Sequence, residues 1–405
     1  MPVGFIQHET IHSIAGVRLA SVAAGIRYQN RDDCVLIEVA EHSSVAAVFT
    51  KNAFRAAPVE LAANNIAQAC PRYLIINAGN ANAGVGDAGM LSALQTTQAI
   101  AAHTHVEAQQ VCPFSTGVIG ERLDADKIIV KIPELVAKLD VDNWRQAASA
   151  IMTTDTQEKI YSKKIQLQGK SVCITGMAKG SGMIQPNMAT MLSYIATDCG
   201  VQTDLLQKLL TQSVATSFNA ITVDSDTSTN DACVLIATGE SKIQLEHCDA
   251  EEYEQFLSAL NEIMRLLAQS IVRDGEGASK FITVQVQGAQ SLQQAKTIAF
   301  SVANSPLVKT ACAASDANWG RIMAAAGKVD DDQLDLSAAS LKINDVLILQ
   351  DAQLVDSYTD AAGMTVMAHD DICITLDLHI GDCEHCVWTT DLTHEYIRIN
   401  AEYRS

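Results

Sequence analysis

The sequence has 405 residues, 48 % of them hydrophobic, which is enough for a sizeable core in two or three domains or one large layered body. Its 47 acidic and 28 basic side chains give a formal net charge of −19, so a nucleic-acid partner is disfavoured. The N-terminal stretch Met-Pro-Val-Gly-Phe-Ile-Gln-His lacks a basic and then an apolar region, and no apolar run approaches the length of a membrane span.

In chain order, residues 16–26, 33–40, 45–50 and 72–77 read as strands, rich in Val, Ile, Leu and Ala between polar breaks. After them, Gly84-Val85-Gly86-Asp87-Ala88-Gly89 matches a dinucleotide fingerprint in spelling only. That motif needs its first glycine directly after the strand, and here an Asn-Ala-Gly loop intervenes. A helix is expected over 90–104 and a short strand over 110–115, ending at Ser115-Thr116-Gly117. Helices over 124–138 and 142–152 follow, then a hairpin over 162–178. Gly169-Lys170-Ser171 is no phosphate loop, because Lys164 stands where a glycine would be required.

The second half opens with a helix over 203–217, then strand, acidic loop and strand over 219–237. The clearest helix spans 250–272, where Phe256, Leu260, Ile263, Met264, Leu267 and Ile271 share one face at the 3.6-residue period. A strand over 280–287, a helix over 290–304 and strand-rich stretches over 341–349 and 365–390 complete the chain. No repeat or linker is visible. Strands and helices mixed on this scale predict helices covering two stacked sheets, an α/β sandwich. The eleven cysteines lack framework spacing and read as free thiols in a reducing cytoplasm. Cys383-Glu384-His385-Cys386 alone has metal-like spacing, and one Cys-x-x-Cys without a second pair predicts no zinc site.

The stretch around which the rest is organised is Lys179-Gly180-Ser181-Gly182-Met183-Ile184-Gln185-Pro186-Asn187-Met188-Ala189-Thr190-Met191-Leu192. Two glycines and a proline constrain a loop that delivers Ala189-Thr190 to the start of a strand. A threonine hydroxyl is a weak nucleophile and needs a base beside it. Cutting the bond before Thr190 would free an α-amine, whose ordinary pKa of about 7.7–8.0 suits general-base work. On local pattern alone, the same stretch is a glycine-proline turn leading into a core strand. Ser181 is a second hydroxyl on this loop, but its surroundings are not a Gly-x-Ser-x-Gly elbow. No histidine lies within fifty residues of Thr190 on either side.

This motif resembles the self-cleavage and active-site segment of the ornithine acetyltransferase (glutamate N-acetyltransferase) family of arginine biosynthesis. The likeness runs almost end to end. It includes Gly4-Phe5, Phe49-Thr50-Lys51-Asn52, Ala57-Pro58-Val59, Asn77-Ala78-Gly79-Asn80-Ala81-Asn82-Ala83, Ser115-Thr116-Gly117-Val118-Ile119-Gly120 and Met152-Thr153-Thr154-Asp155-Thr156. It continues through Asp224-Ser225-Asp226-Thr227-Ser228-Thr229-Asn230-Asp231, Asp274-Gly275-Glu276-Gly277-Ala278, Asp316-Ala317-Asn318-Trp319-Gly320-Arg321 and the tail from Tyr396 to Ser405.

The resemblance implies a layered α-β-β-α sandwich of the type shared with N-terminal-nucleophile-like aminopeptidases. It implies self-cleavage at Ala189-Thr190 into residues 1–189 and 190–405, intertwined in one body, with two of each forming a heterotetramer. Thr190 would be the nucleophile that carries acetyl from N2-acetyl-L-ornithine to L-glutamate. Thr116 and Gly117 would form the oxyanion hole: a strand end followed by glycine exposes an N–H, and the threonine hydroxyl adds a donor. By pattern alone, Thr-Gly is a common turn. Lys179 would meet the substrate carboxylate, Thr153 would add a hydroxyl, and Glu276 would suit the free amino end of ornithine. Asn400 and Ser405 would bring the tail over the pocket; Ser405 stands where many relatives end in Thr. No cofactor or metal is implied, and acetyl-CoA is a co-substrate for some members. Two alternatives stay open at this stage, a self-cleaving aminopeptidase that passes the acyl group to water and a non-catalytic scaffold relative.

Overall fold

The computed structural model describes residues 2–4, 10–185, 191–246 and 251–402. Ala189, Thr190 and Ser405 therefore lie outside the described residues. Strands form where β-branched residues cluster: β1 (Val17–Val22), β2 (Cys34–Val39) and β3 (Ser44–Phe49). The helix α1 (Ala57–Gln68) was not foreseen, because alanines and asparagines blur its periodicity, although Pro58 marks its first turn. A parallel β-α-β unit follows: β4 (Tyr73–Asn80), α2 (Asp87–Thr104) and β5 (Val111–Val118). The helix expected over 124–138 is two pieces, α3 (Ala125–Ile129) and α4 (Ile132–Ala137). The break falls ahead of Pro133, which cannot continue a helix through its own N-terminal side. Next come α5 (Trp144–Ala150) and the hairpin β6 (Lys159–Leu167) and β7 (Lys170–Lys179). Gln168 and Gly169 turn this hairpin with φ of 50° and 73°, the geometry that matches strand twist.

Beyond the central loop lie β8 (Leu192–Thr197), the two-residue β9 (Gly200–Val201), α6 (Thr203–Ala215), β10 (Ala232–Ala237) and the two-residue β11 (Gln244–Leu245). The strand expected at the start of 219–237 is absent. Residues 218–220 form a tight helical turn and Ile221 makes one isolated bridge to Trp388. Ile221 and Val223 bury singly in the core instead of lining a sheet row. The amphipathic helix is α7 (Glu251–Arg273), and all six residues of its expected apolar face are buried. Three glutamates in its first turn and Arg273 in its last complement the helix dipole.

The C-terminal part comprises β12 (Phe281–Ala289), α8 (Leu292–Ala303), α9 (Pro306–Ala313), α10 (Trp319–Gly327), β13 (Ser340–Ile343), β14 (Val346–Gln350), β15 (Gln353–Leu354), α11 (Asp360–Met367), β16 (Asp371–Asp377), β17 (Cys383–Thr390) and α12 (His394–Ala401). The helices α9 to α12 were missed. Each is eight or nine residues long, too short to show a period, yet Ser305, Asn318, Thr359 and Thr393 cap their N-termini.

The layers follow from which faces are apolar. One sheet has the order β1-β2-β4-β5, and the second has the order β3-β10-β8-β7-β6. Leu19, Ile37, Leu74 and Phe114 of the first meet Met177, Tyr194, Val234 and Ile236 of the second, giving a shared β–β core. The outer face of the first sheet packs with Ile100, Ile128 and Leu135 under α2, α3 and α4. The outer face of the second packs under α6 and α7 through Leu209, Phe256, Leu260 and Ile263. This is the α-β-β-α sandwich. A third sheet, β15-β14-β13-β16-β12-β17, has its own core beneath α8 to α11 and was not anticipated as a separate layer. In the second sheet, β7 pairs with β8 and β3 with β10, so strands from both sides of residue 190 are joined in one hydrogen-bonded array.

Candidate active site

The site assembles at the ends of β5, β7 and β8. Gly117 has a φ of 133°, and a Cβ there would lie 2.2 Å from the carbonyl carbon of Gly79 on the neighbouring strand. Only glycine permits that approach. Thr116, the residue before it, is buried with its hydroxyl turned to Lys179 at the end of β7. The Lys179 ammonium donates to Thr116 Oγ1 at 3.0 Å and to Thr153 Oγ1 at 2.9 Å. Each threonine oxygen thus accepts from a cation, which leaves its own proton to donate elsewhere. An ammonium carries three donors, and among the described residues Lys179 uses two of them.

Burial lowers the pKa of Lys179, and the charge of Asp155 opposes that shift. Asp155 is itself buried. Burial pushes its carboxyl up, but Lys159 and then Lys179 outweigh this and hold it well below the usual carboxylate range. Its oxygens accept from the Gly180 N–H at 2.7 Å, from the Thr153 N–H at 3.0 Å and from Lys159 at 2.7 Å. Lys159 also reaches Asp274 at 2.6 Å, and Asp274 accepts from the Thr156 N–H at 2.9 Å. One buried lysine therefore ties the loop of Thr153 to the loop of Glu276.

Glu276 follows α7 by three residues, and its N–H donates to the Ser181 carbonyl at 2.9 Å. Its carboxylate sits so close over Gly182 that a Cβ there would be 2.4 Å from it. Asn400 on α12 donates to Glu276 Oε2 at 2.8 Å, so the tail helix is docked where fraying would otherwise be the default. Asp224 adds a second clasp on this loop. It accepts from the N–H groups of Met183 at 2.6 Å and Ile184 at 2.8 Å, and from the Tyr396 hydroxyl at 3.2 Å. Ser181 is buried, and its hydroxyl is bound to that of Thr154 at 2.7 Å, so it is poorly placed as a nucleophile.

Thr116, Gly117, Thr153, Lys179, Glu276 and Asn400 line one cavity of about 140 Å³. Every described residue that the resemblance assigns to the site reaches it. Met191 and Leu192, which directly follow Thr190, line the same cavity. Lys179 differs from expectation in being bonded first to two threonines, so, among the described residues, a substrate carboxylate has one remaining ammonium proton to meet. The sequence reading missed the wall formed by Ser228, Thr229, Asn230 and Asp231. Its signal was the motif containing them, passed over as an acidic loop. Cys383 to Cys386 lie on β17, and among the described residues no group of three or more His, Cys, Asp or Glu could hold a metal ion.

An α-β-β-α sandwich that closes on a small cavity of hydroxyls, a buried lysine and carboxylates is the architecture of an enzyme for small molecules. Comparison with known proteins then places it: the ArgJ family model matches residues 18–405, and the chain belongs to the ArgJ family. It is 50 % identical over 398 residues to the arginine biosynthesis bifunctional protein ArgJ of Psychrobacter arcticus, covering 98 % of each chain. It is 47 % identical to the protein of the same name from Pseudomonas fluorescens, over all of both chains. Among solved structures, it is similar to the arginine biosynthesis bifunctional protein argJ of Bacillus halodurans, with 36 % identity and a TM-score of 0.51, over 53 % of this chain and all of that one.

Proposed function

We propose that the chain transfers an acetyl group from N2-acetyl-L-ornithine to L-glutamate, releasing L-ornithine and N-acetyl-L-glutamate, through an acetyl group held on Thr190. Six residues expected from the sequence converge on one small cavity at the start of β8, and that observation carries the reading. After the chain splits at Ala189-Thr190, the Thr190 α-amine takes the hydroxyl proton as the oxygen attacks the acetyl carbonyl. The developing oxyanion is met by the Thr116 hydroxyl and the Gly117 N–H, with the Lys179 ammonium behind Thr116 strengthening its donation. Departing ornithine takes the proton from the α-amine. The glutamate amine then attacks the acetyl ester and restores Thr190. Lys179 and Thr153 orient the substrate carboxylate, while Glu276, braced by Asn400, faces the amino end of ornithine. Ser405 belongs to the same tail.

The interleaved second sheet supports the split, since halves sharing β3, β7, β8 and β10 stay associated once the bond is cut. The solved Bacillus halodurans chain matches 53 % of this one, the same share that residues 190–405 make up here. Two copies of each half as a heterotetramer, and action in the cytoplasm, are parts of the same reading. Among the described residues, no helix is long and apolar enough to cross a membrane. The relatives are named bifunctional, and we read the second activity here as acetylation of glutamate by acetyl-CoA, with no metal or bound cofactor required. Incubation with N-acetylornithine and labelled glutamate should yield labelled N-acetylglutamate. Release of free acetate, or cleavage of peptide amides without transfer, would contradict the reading.

A further inference from the structure

In the mature enzyme, the base is the Thr190 α-amine, but before the chain is cut that nitrogen is an amide and cannot take a proton. Splitting therefore needs another group to move protons, and it must act next to Thr190. Three titratable side chains among the described residues line the cavity. Lys179 donates to two threonine hydroxyls, and Glu276 accepts from Asn400. The third, Asp231, is 3 % exposed, and its Oδ2 has no hydrogen-bond partner among the described residues. A buried carboxyl oxygen left unpaired calls for a functional explanation.

Its backbone fixes where it acts. The Ala232 N–H donates to the Met191 carbonyl at 2.9 Å, and Ala232 pairs with Leu192 in the parallel ladder. Asp231 thus lies beside Met191, whose nitrogen is three bonds from that of Thr190. The Thr50 N–H holds the Asp231 carbonyl at 3.0 Å from the other side, so the position is locked on both edges. Burial pushes this carboxyl well above the usual carboxylate range, with Ser228 and Lys179 opposing only in part, which favours its protonated form.

We propose that the carboxyl group of Asp231 moves the protons of chain splitting at Ala189-Thr190, an inference that rests on the self-cleavage reading above. The Thr190 hydroxyl oxygen bonds to the Ala189 carbonyl carbon. The carbon–nitrogen bond then breaks with its electron pair on nitrogen, which receives the proton of Asp231. The carboxylate so formed takes the proton displaced from the hydroxyl. Asp231 is restored, and an ester of Ala189 on Thr190 with a free amine remains. Water hydrolyses that ester to the Ala189 carboxylate and the Thr190 hydroxyl, and the released proton goes to the new amine.

The test is the time course of splitting of the full chain made by cell-free translation, read as denatured mass. Wild type should split, T190A should not, and D231N should split more slowly by a factor on the order of 10². Thermal unfolding of the D231N chain must match that of an unsplit T190A chain. If D231N cannot be obtained folded, the wild-type rate in H2O and D2O decides, and equal rates would overturn the proton role. D231N splitting as fast as wild type would overturn the role of Asp231 alone. A wild-type chain that never splits would instead remove the self-cleavage reading itself.

Discussion

Replacing Lys159 with methionine keeps the volume of the side chain and removes its charge. The ammonium is fully buried between Asp155 at 2.7 Å and Asp274 at 2.6 Å, both also inaccessible to water. Breaking a buried ion pair by removing one partner costs about 3–5 kcal/mol. The alternative is for one of the two carboxyl groups to take up a proton. From an ordinary Asp value near 3.9, that costs about 4 kcal/mol at pH 7, so the two routes agree. Asp155 still has the Gly180 and Thr153 N–H groups and the charge of Lys179, which limits the loss to one proton.

The sign with pH follows. In the variant, the proton-binding carboxyl has a folded pKa above its unfolded one, so its penalty shrinks as pH falls from 7 towards 4, by about 1.4 kcal/mol per unit. In the wild type, Asp155 is held below its unfolded value, so its contribution is intact above about pH 4 and is lost only below it. The stability gap between wild type and K159M should therefore be about 4 kcal/mol at pH 7 and about 1–2 kcal/mol at pH 5. Urea unfolding at the two pH values measures it. A gap below about 1 kcal/mol at pH 7, or one that does not narrow at pH 5, would refute the reasoning.

Other substitutions probe the cavity. T116V preserves shape but removes the hydroxyl donor, and kcat should fall by a factor on the order of 10²–10³ with KM little changed, as judged from steady-state kinetics. T116S should keep most of the activity. G117A forces a Cβ against the Gly79 carbonyl carbon in a backbone conformation unsuited to it, so loss of transfer should accompany a lower thermal midpoint. E276Q keeps the Asn400 contact in reach but removes the charge, so KM for N-acetylornithine should rise while an acetyl donor lacking the amino end is unaffected.

Much of this is legible in the sequence. The strands β1 to β5 and the face of α7 follow from β-branched runs and a clean 3.6-residue period. The site residues became legible through long motifs, because each one alone is ambiguous: Thr116-Gly117 is also a turn, and Lys179 is also a surface charge. What the sequence could not show was how Lys179 would spend its protons, since the two threonines it meets come from positions 116 and 153. Nor could it show Asp231 as a buried acid, because an Asp in a polar loop reads as solvated until β3 and β8 close around it. The short helices α9 to α12 were invisible to periodicity, and only their capping residues marked them.

The most direct measurement is the denatured mass of the purified protein before and after adding N-acetylornithine. Two fragments that part between Ala189 and Thr190, with the second gaining one acetyl group, are the expected result. A single chain, or two fragments that take up no acetyl group while transfer proceeds, would contradict an acetyl-enzyme on Thr190.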